Sequence, residues 1–257
     1  MRTIYREQKY VCGEYLDVNI FPTYKTATQR KKRSQPTSEV QAKLNQRHRE
    51  EKLARLFHAN FTPDDCEIHL TYAEQPESPE RARADLRNYL ERLARLRKKA
   101  GLEPLKYIGV TERGNNGRYH HHVTVNGGLS RDAMEEKWGF GYANTRRLQF
   151  SETGLAGLAN YIVKDSIFRK TYTASRNLID PEPRTRDGRI SAKKAQQLAS
   201  MPGNSEAFEI LYPGYILAEA NPFLNDVNKG YYIYARFYRA DGKFIKPRRK
   251  RRKRRDD

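Results

Sequence analysis

Three consecutive histidines, His120, His121 and His122, are the densest group of potential metal ligands in the chain. They lie in an alternating stretch, residues 119–125, that is typical of a β-strand, in which successive side chains point to opposite faces. His120 and His122 therefore share one face, about 7 Å apart along the strand. His121 joins the apolar valines of the other face. We expect His120 and His122 to converge on a divalent cation.

A carboxylate precedes the histidines at a short distance in the sequence. Glu112 ends a predicted strand, and the turn-forming residues Gly114-Asn115-Asn116-Gly117 then lead into the histidine strand, so the two strands should form a hairpin. One carboxylate and two imidazoles make a mixed nitrogen and oxygen site that suits Mg²⁺ or Mn²⁺ as a Lewis acid, or Zn²⁺. The alternative is that both histidines are polar residues on a solvated sheet face.

A second candidate group lies on a predicted helix that Ser151 caps and that runs to about residue 165. Tyr161 and Lys164 are three residues apart, so they share one helix face. A tyrosine attacks phosphorus when its phenolate is stabilised, and a neighbouring ammonium group provides such stabilisation. The alternative is an amphipathic helix with an ordinary surface tyrosine and lysine.

The pattern of elements predicts an α+β fold, with a central antiparallel sheet flanked by helices. Strands are predicted at 67–72, 107–112, 119–125 and 142–150, and helices at 78–100, 131–137 and 151–165. Residues 1–60 should be a weakly ordered basic arm, with one strand near 15–21, followed by a helix. Residues 171–246 should form an extension with a short helix near 191–201 and a late strand at 231–238. Residues 247–257 should be a disordered basic tail.

The charge of the chain points to a polyanionic partner. The formal net charge is +19, and residues 1–247 still carry +13 once the net +6 of the terminal run is removed. The two cysteines, Cys12 and Cys66, exclude a disulfide framework and a cysteine-based zinc finger. Since the chain has neither a membrane-length apolar run nor a signal-peptide core, we expect a soluble intracellular protein without membrane contact.

Three short segments, taken in order, resemble those of HUH endonucleases, and specifically the rolling-circle replication initiators (Rep proteins) of phages, plasmids and single-stranded DNA viruses. The segments are Ile68-His69-Leu70-Thr71-Tyr72, His120-His121-His122 and Tyr161-Ile162-Val163-Lys164. The resemblance covers residues 61–170. It implies an HUH domain with an RRM-like, ferredoxin-like sandwich. His121 departs from the pattern, because the middle residue of the family motif is usually apolar, and this leaves open a register in which His121 is a ligand.

The resemblance also implies a role for each residue. Glu112, His120 and His122 would hold Mg²⁺ or Mn²⁺, Tyr161 would form a 5′-phosphotyrosine link and release a 3′-OH, and Lys164 would stabilise the developing charge. The 3′-OH would prime a host polymerase. Since the chain contains no P-loop motif, unwinding would come from a host helicase or from supercoiling.

The expected partners are single-stranded origin DNA together with host helicase, polymerase and single-strand-binding protein. Residues expected to contact DNA are Tyr72, Arg118 and the basic run Arg248, Arg249, Lys250, Arg251 and Arg252. The expected location is the cytoplasm of a bacterial host, or the nucleus of a eukaryotic one. Two alternatives stay open: a non-catalytic nucleic-acid-binding protein on an RRM-like sheet, and an HUH transposase or relaxase with the same chemistry.

Overall fold

A computed structural model describes residues 4–23, 39–164, 172–225 and 230–248, with side chains described from 45 and up to 163 in the second of these ranges. Its strands are β1 (Ile4–Cys12), β2 (Tyr15–Thr23), β3 (Cys66–Thr71), β4 (Tyr107–Arg113), β5 (Tyr119–Val125), β6 (Ala143–Arg147), β7 (Thr173–Ala174), β8 (Arg184–Asp187), β9 (Tyr215–Asn225) and β10 (Gly230–Arg239). Its helices are α1 (Glu39–Asn60), α2 (Pro79–Lys99), α3 (Arg131–Glu136), α4 (Ala156–Lys164), α5 (Ala192–Ser200) and α6 (Ser205–Glu209).

The chain divides into two compact units, each built on its own five-stranded antiparallel sheet. The central unit comprises Asn60–Phe150 and Gly157–Leu178, and the terminal unit comprises Met1–Ala59, Ser151–Ala156 and Ile179–Asp257. The strand order is β6-β3-β5-β4-β7 in one sheet and β8-β1-β2-β10-β9 in the other. Sheets flanked by helices make an α+β fold, which confirms the predicted class. Among the described residues, every helix is too short or too polar to cross a membrane.

The central sheet follows the sequence patterns closely. β4 and β5 form the predicted hairpin, with Glu112 directly opposite His120. On one side of the sheet, alternate residues of β3 and β5 pack with α2 into a core that includes Ile68, Leu70, Leu86, Tyr89, Leu93, Val123, Val125 and Trp138. Helix α2 begins at its predicted cap, where Ser78 Oγ accepts a hydrogen bond from Arg81 N at 3.1 Å.

The terminal sheet corrects the prediction of a weakly ordered N-terminal arm. β1 and β2 form an antiparallel hairpin, and β2 pairs with β10 from the far end of the chain. Its core includes Leu16, Val18, Ile20, Leu198, Phe208, Ile233 and Phe237. A hairpin whose main partner lies so far along the sequence offers little local evidence of its burial, and this explains the error.

The start of α4 also differs from the prediction. We expected Ser151 to cap the helix, but α4 begins at Ala156. Ser151 and Gly154 instead exchange backbone hydrogen bonds of 2.8 and 3.2 Å, which close a tight turn. Gly154 has a φ of +66°, a left-handed conformation that glycine adopts without strain and that interrupts a helix. The helix that carries Tyr161 is therefore shorter than expected.

Candidate metal centre and nucleophile

The β5 histidines divide between the two faces of the strand as alternation predicts. The side chains of His120 and His122 are 18% and 15% exposed, and their ring centroids are 5.3 Å apart. His121 is fully buried on the opposite face. His120 and His122 are thus adjacent side chains that share an accessible surface of the sheet.

A third histidine, which the sequence analysis did not assign to the site, completes this group. His69 on β3 pairs directly with His122, and their rings stack at 4.6 Å between centroids. Ring nitrogens of His69, His120 and His122 all lie within 4.8 Å of one another. The alternation of β3 puts His69 on the polar face, but only the pairing register shows that this face adjoins His122.

Glu112 lies beside the histidine cluster and is almost fully buried. Its Oε2 atom is 3.3 Å from His120 Nε2 and 3.9 Å from His122 Nε2. Within the part of the chain that the structure describes, its Oε1 atom has no hydrogen-bond partner. An unpartnered buried carboxylate oxygen is costly unless a positive charge compensates it. A cation among these groups would supply that compensation.

The donor set fits a divalent cation. Two ligands that each lie about 2.1 Å from one ion are separated by roughly 3 to 3.5 Å, close to the spacing of Glu112 Oε2 and His120 Nε2. Burial, followed by the nearby His122 and His120, lowers the pKa of His69. His69 is therefore neutral near pH 7, and a neutral imidazole is the form that binds metals. Imidazoles with a carboxylate suit Mn²⁺ and Zn²⁺, and Mg²⁺ when oxygen ligands such as phosphate complete its shell.

His121 has a structural environment. Its Nε2 atom shares a 2.8 Å hydrogen bond with the Tyr72 hydroxyl, and its Nδ1 atom shares one of 3.0 Å with Thr111 Oγ1. Burial is the main cause that lowers the pKa of His121 to about 3. Tyr72, which we expected to contact DNA, is 5% exposed and packs against Trp138. Its burial leaves no ring face for a base to stack on.

Tyr161 projects from α4 towards the histidine cluster. Its hydroxyl donates a 3.0 Å hydrogen bond to Glu112 Oε2, and its ring contacts His122 edge to face at 5.5 Å between centroids. The tyrosine is 42% exposed, so its oxygen is close to the cluster and also accessible from outside. Lys164 ends the same helix, but its side chain lies outside the described residues.

The residues expected to contact DNA are distributed differently. Arg118 is exposed at the β4–β5 hairpin, where its guanidinium donates to Tyr72 O at 2.8 Å. Arg248 is exposed in the terminal unit. The rest of the basic run, Arg249, Lys250, Arg251 and Arg252, lies outside the described residues.

Comparison with known proteins assigns this region to a family. Residues 65–166 match the model of a family of replication-associated proteins, the ORF2 type. The matched segment holds β3, the hairpin of β4 and β5, and α4, and so includes every side chain of the cluster. The match confirms the resemblance to Rep-type replication proteins and supports a replication initiator role. Searches of curated proteins and of solved structures found no significant match.

Proposed function

We propose that this protein is a rolling-circle replication initiator that nicks and rejoins single-stranded DNA through Tyr161. The observation that carries the proposal is the 3.0 Å hydrogen bond from the Tyr161 hydroxyl to Glu112, beside three converging histidines. A phenol held by a carboxylate has a proton acceptor in place, as nucleophilic catalysis requires. The exposed position of Tyr161 allows a DNA strand to reach its oxygen.

The residues of the chain divide the proposed reaction between them. Tyr161 Oη attacks the scissile phosphorus, its proton passes to Glu112, and a phosphotyrosine bond forms. The bond from phosphorus to the 3′ oxygen breaks, and that oxygen takes up a proton and leaves as a 3′-OH. In the reverse direction, a 3′-OH attacks the phosphotyrosine, which rejoins the strand and restores Tyr161. The bond energy is kept in the phosphotyrosine, so the chemistry needs no nucleotide cofactor.

The histidine cluster is the proposed metal site. His69, His120 and His122, with Glu112 beside them, would hold Mg²⁺ or Mn²⁺, which would polarise the scissile phosphate and offset its charge. Lys164 follows Tyr161 by three residues in α4, so it belongs to the same helix face and would stabilise the phenolate. Arg118 and the basic run of residues 248–252 would bind the DNA backbone.

The proposed cellular role follows from this chemistry. The 3′-OH primes a host polymerase, while a host helicase and single-strand-binding protein process the displaced strand. The protein would act where its template is, in the cytoplasm of a bacterial host or the nucleus of a eukaryotic one. Transposases and relaxases use the same chemistry, but the match to a replication-associated family favours initiation of replication.

A covalent adduct tests the proposal. Wild-type protein is incubated with Mn²⁺ and a pool of single-stranded and hairpin DNA, and adducts are separated on a denaturing gel. We expect a shifted band whose attached residue maps to Tyr161, and no band with Tyr161→Phe. If wild-type protein cuts nothing in a broad pool, or if Tyr161→Phe still forms the adduct, the proposal fails and a non-catalytic DNA-binding role gains support.

Histidine variants provide the matched controls. His120→Ala and His122→Ala should each abolish the adduct, whereas His121→Leu should retain it because His121 lies on the core face. The leucine leaves two buried hydroxyls, on Tyr72 and Thr111, without their partner, at a cost of about 1–3 kcal/mol. Activity is therefore compared well below the melting temperature of each variant.

A further inference from the structure

A pocket adjoins the histidine cluster at the hairpin end of the central sheet. Its volume is about 420 Å³, which is within the range of small-molecule sites. The groups that matter for the following argument belong to β3, to β5 and to the loop between β4 and β5: His69, Thr71, Asn115, Asn116, Arg118 and His120. The pocket therefore shares two walls with the proposed metal site and opens towards the loop.

The pocket and the nucleophile contact different parts of the cluster. Tyr161 contacts Glu112 and His122, and neither of these residues lines the pocket. In phosphoryl transfer, the attacking and leaving oxygens lie roughly in line on opposite sides of the phosphorus. A phosphate at the cluster that is attacked by Tyr161 would therefore direct its leaving oxygen away from α4, towards the side where the pocket lies.

We propose that this pocket binds the nucleotide immediately 5′ of the scissile phosphate, the one that leaves with the 3′-OH. The assignment rests on the proposed function, because it takes the direction of attack from Tyr161. It adds a substrate subsite to that function and makes the β4–β5 loop a determinant of sequence preference.

The loop has a defined shape and one available amide. Gly114 N donates to Arg118 O at 2.9 Å, and Arg118 N donates to Asn116 Oδ1 at 3.0 Å, so Asn116 is used to hold the loop. Asn115 is exposed, and among the described residues its side chain has no hydrogen-bond partner. A carboxamide offers both a donor and an acceptor, the combination that reads the edge of a base. Asn115 is therefore the proposed base-reading residue.

A randomised substrate tests the assignment. The scissile phosphate is first mapped, and a pool is then made with all four bases at the nucleotide on each side of it. Sequencing of the cleaved products gives the base preference at both positions for wild type, Asn115→Ala and the matched control Asn88→Ala, an exposed residue of α2. We expect Asn115→Ala to weaken the preference at the 5′ nucleotide by about fivefold or more, with the 3′ preference unchanged. Asn88→Ala should behave as wild type.

The outcomes separate this inference from the function on which it rests. If the wild type cuts but shows no preference at the 5′ nucleotide, the pocket assignment is overturned. It is also overturned if Asn115→Ala keeps the wild-type preference or if the change falls on the 3′ nucleotide. If the wild type cuts no member of the pool, the proposed function fails, and this inference fails with it.

Discussion

At the scale of single residues, Glu67 fixes the orientation of a proposed metal ligand. Its Oε1 atom is 3.3 Å from His122 Nδ1, and Arg146 donates to its Oε2 atom at 3.1 Å. The hydrogen bond with His122, and then Arg146, lowers the pKa of Glu67, so this carboxylate is ionised and can only accept. His122 must then carry its proton on Nδ1, which leaves the Nε2 lone pair available to a cation.

We predict that Glu67→Gln weakens metal binding about 10- to 100-fold, the usual range when the partner of a metal-binding histidine is altered. Isothermal titration of Mn²⁺ into the protein without DNA would measure this directly. Glu74→Gln, at an exposed position after β3, is the control and should bind as wild type does. Equal affinities in Glu67→Gln and wild type would show that Glu67 does not orient His122.

At the scale of elements, the turn before α4 leaves no room for a side chain. A Cβ atom on Gly154 would overlap His58 Nε2 and would lie 2.7 Å from Tyr15 Cζ. Gly157, in the first turn of α4, has no atom within 4 Å of the same construction. The two glycines are thus close in sequence but differ in the space around them.

Gly154→Ala should therefore destabilise the protein by several kcal/mol, through steric overlap and an unfavourable positive φ. Gly157→Ala should be neutral or stabilise it by about 0.5–1 kcal/mol, because alanine favours the helix. Urea denaturation of both variants would measure the difference. Comparable stability of the two variants would contradict the packing around Gly154.

The sequence predicted those elements whose signals are local. The hairpin of β4 and β5, the capped start of α2 and the division of His120 and His122 from His121 all depend on alternation, turn residues or caps within a few positions. His69 and the β1–β2 hairpin depend on pairing between distant segments, which no local pattern encodes. The late start of α4 was missed because a serine can cap a helix or begin a turn.

At the scale of the whole molecule, a buried histidine should make stability depend on pH. Burial lowers the pKa of His58 to about 3, and His58 Nε2 accepts a 2.8 Å hydrogen bond from Leu155 N. An unfolded histidine has a pKa near 6.5 and takes up a proton below that value, whereas His58 in the folded protein does not. The free energy of unfolding must therefore fall as the pH drops from about 6.5 towards 3.

Replacement of His58 by glutamine keeps an acceptor for Leu155 N and removes the titration. Between pH 7 and pH 5, wild type should lose about 2 kcal/mol more stability than His58→Gln does. Urea denaturation at both pH values would measure the two losses, and the comparison between pH values cancels the cost of the substitution itself. Equal losses would mean that His58 is not kept neutral by burial.

The basic terminus should determine how strongly salt weakens DNA binding. Residues 248–255 are eight consecutive Lys and Arg residues. Each phosphate contact contributes a slope of about −0.7 to the logarithm of affinity against the logarithm of salt concentration for single strands. Deletion of residues 248–257 should reduce this slope in fluorescence-anisotropy titrations but leave Tyr161-dependent nicking intact. An unchanged slope would place the terminus outside the DNA interface.

The two-residue repeat of β5 makes the histidine triplet act like a reading frame. Loss of any one residue from 120–122 would still leave two neighbouring histidines in the sequence. One of them would then point into the core, and the other would meet His69 alone on the open face. The strand can thus tolerate a change of side chain at His121 more readily than a change of length, and a frame shift of one residue would cost the site more than a point substitution.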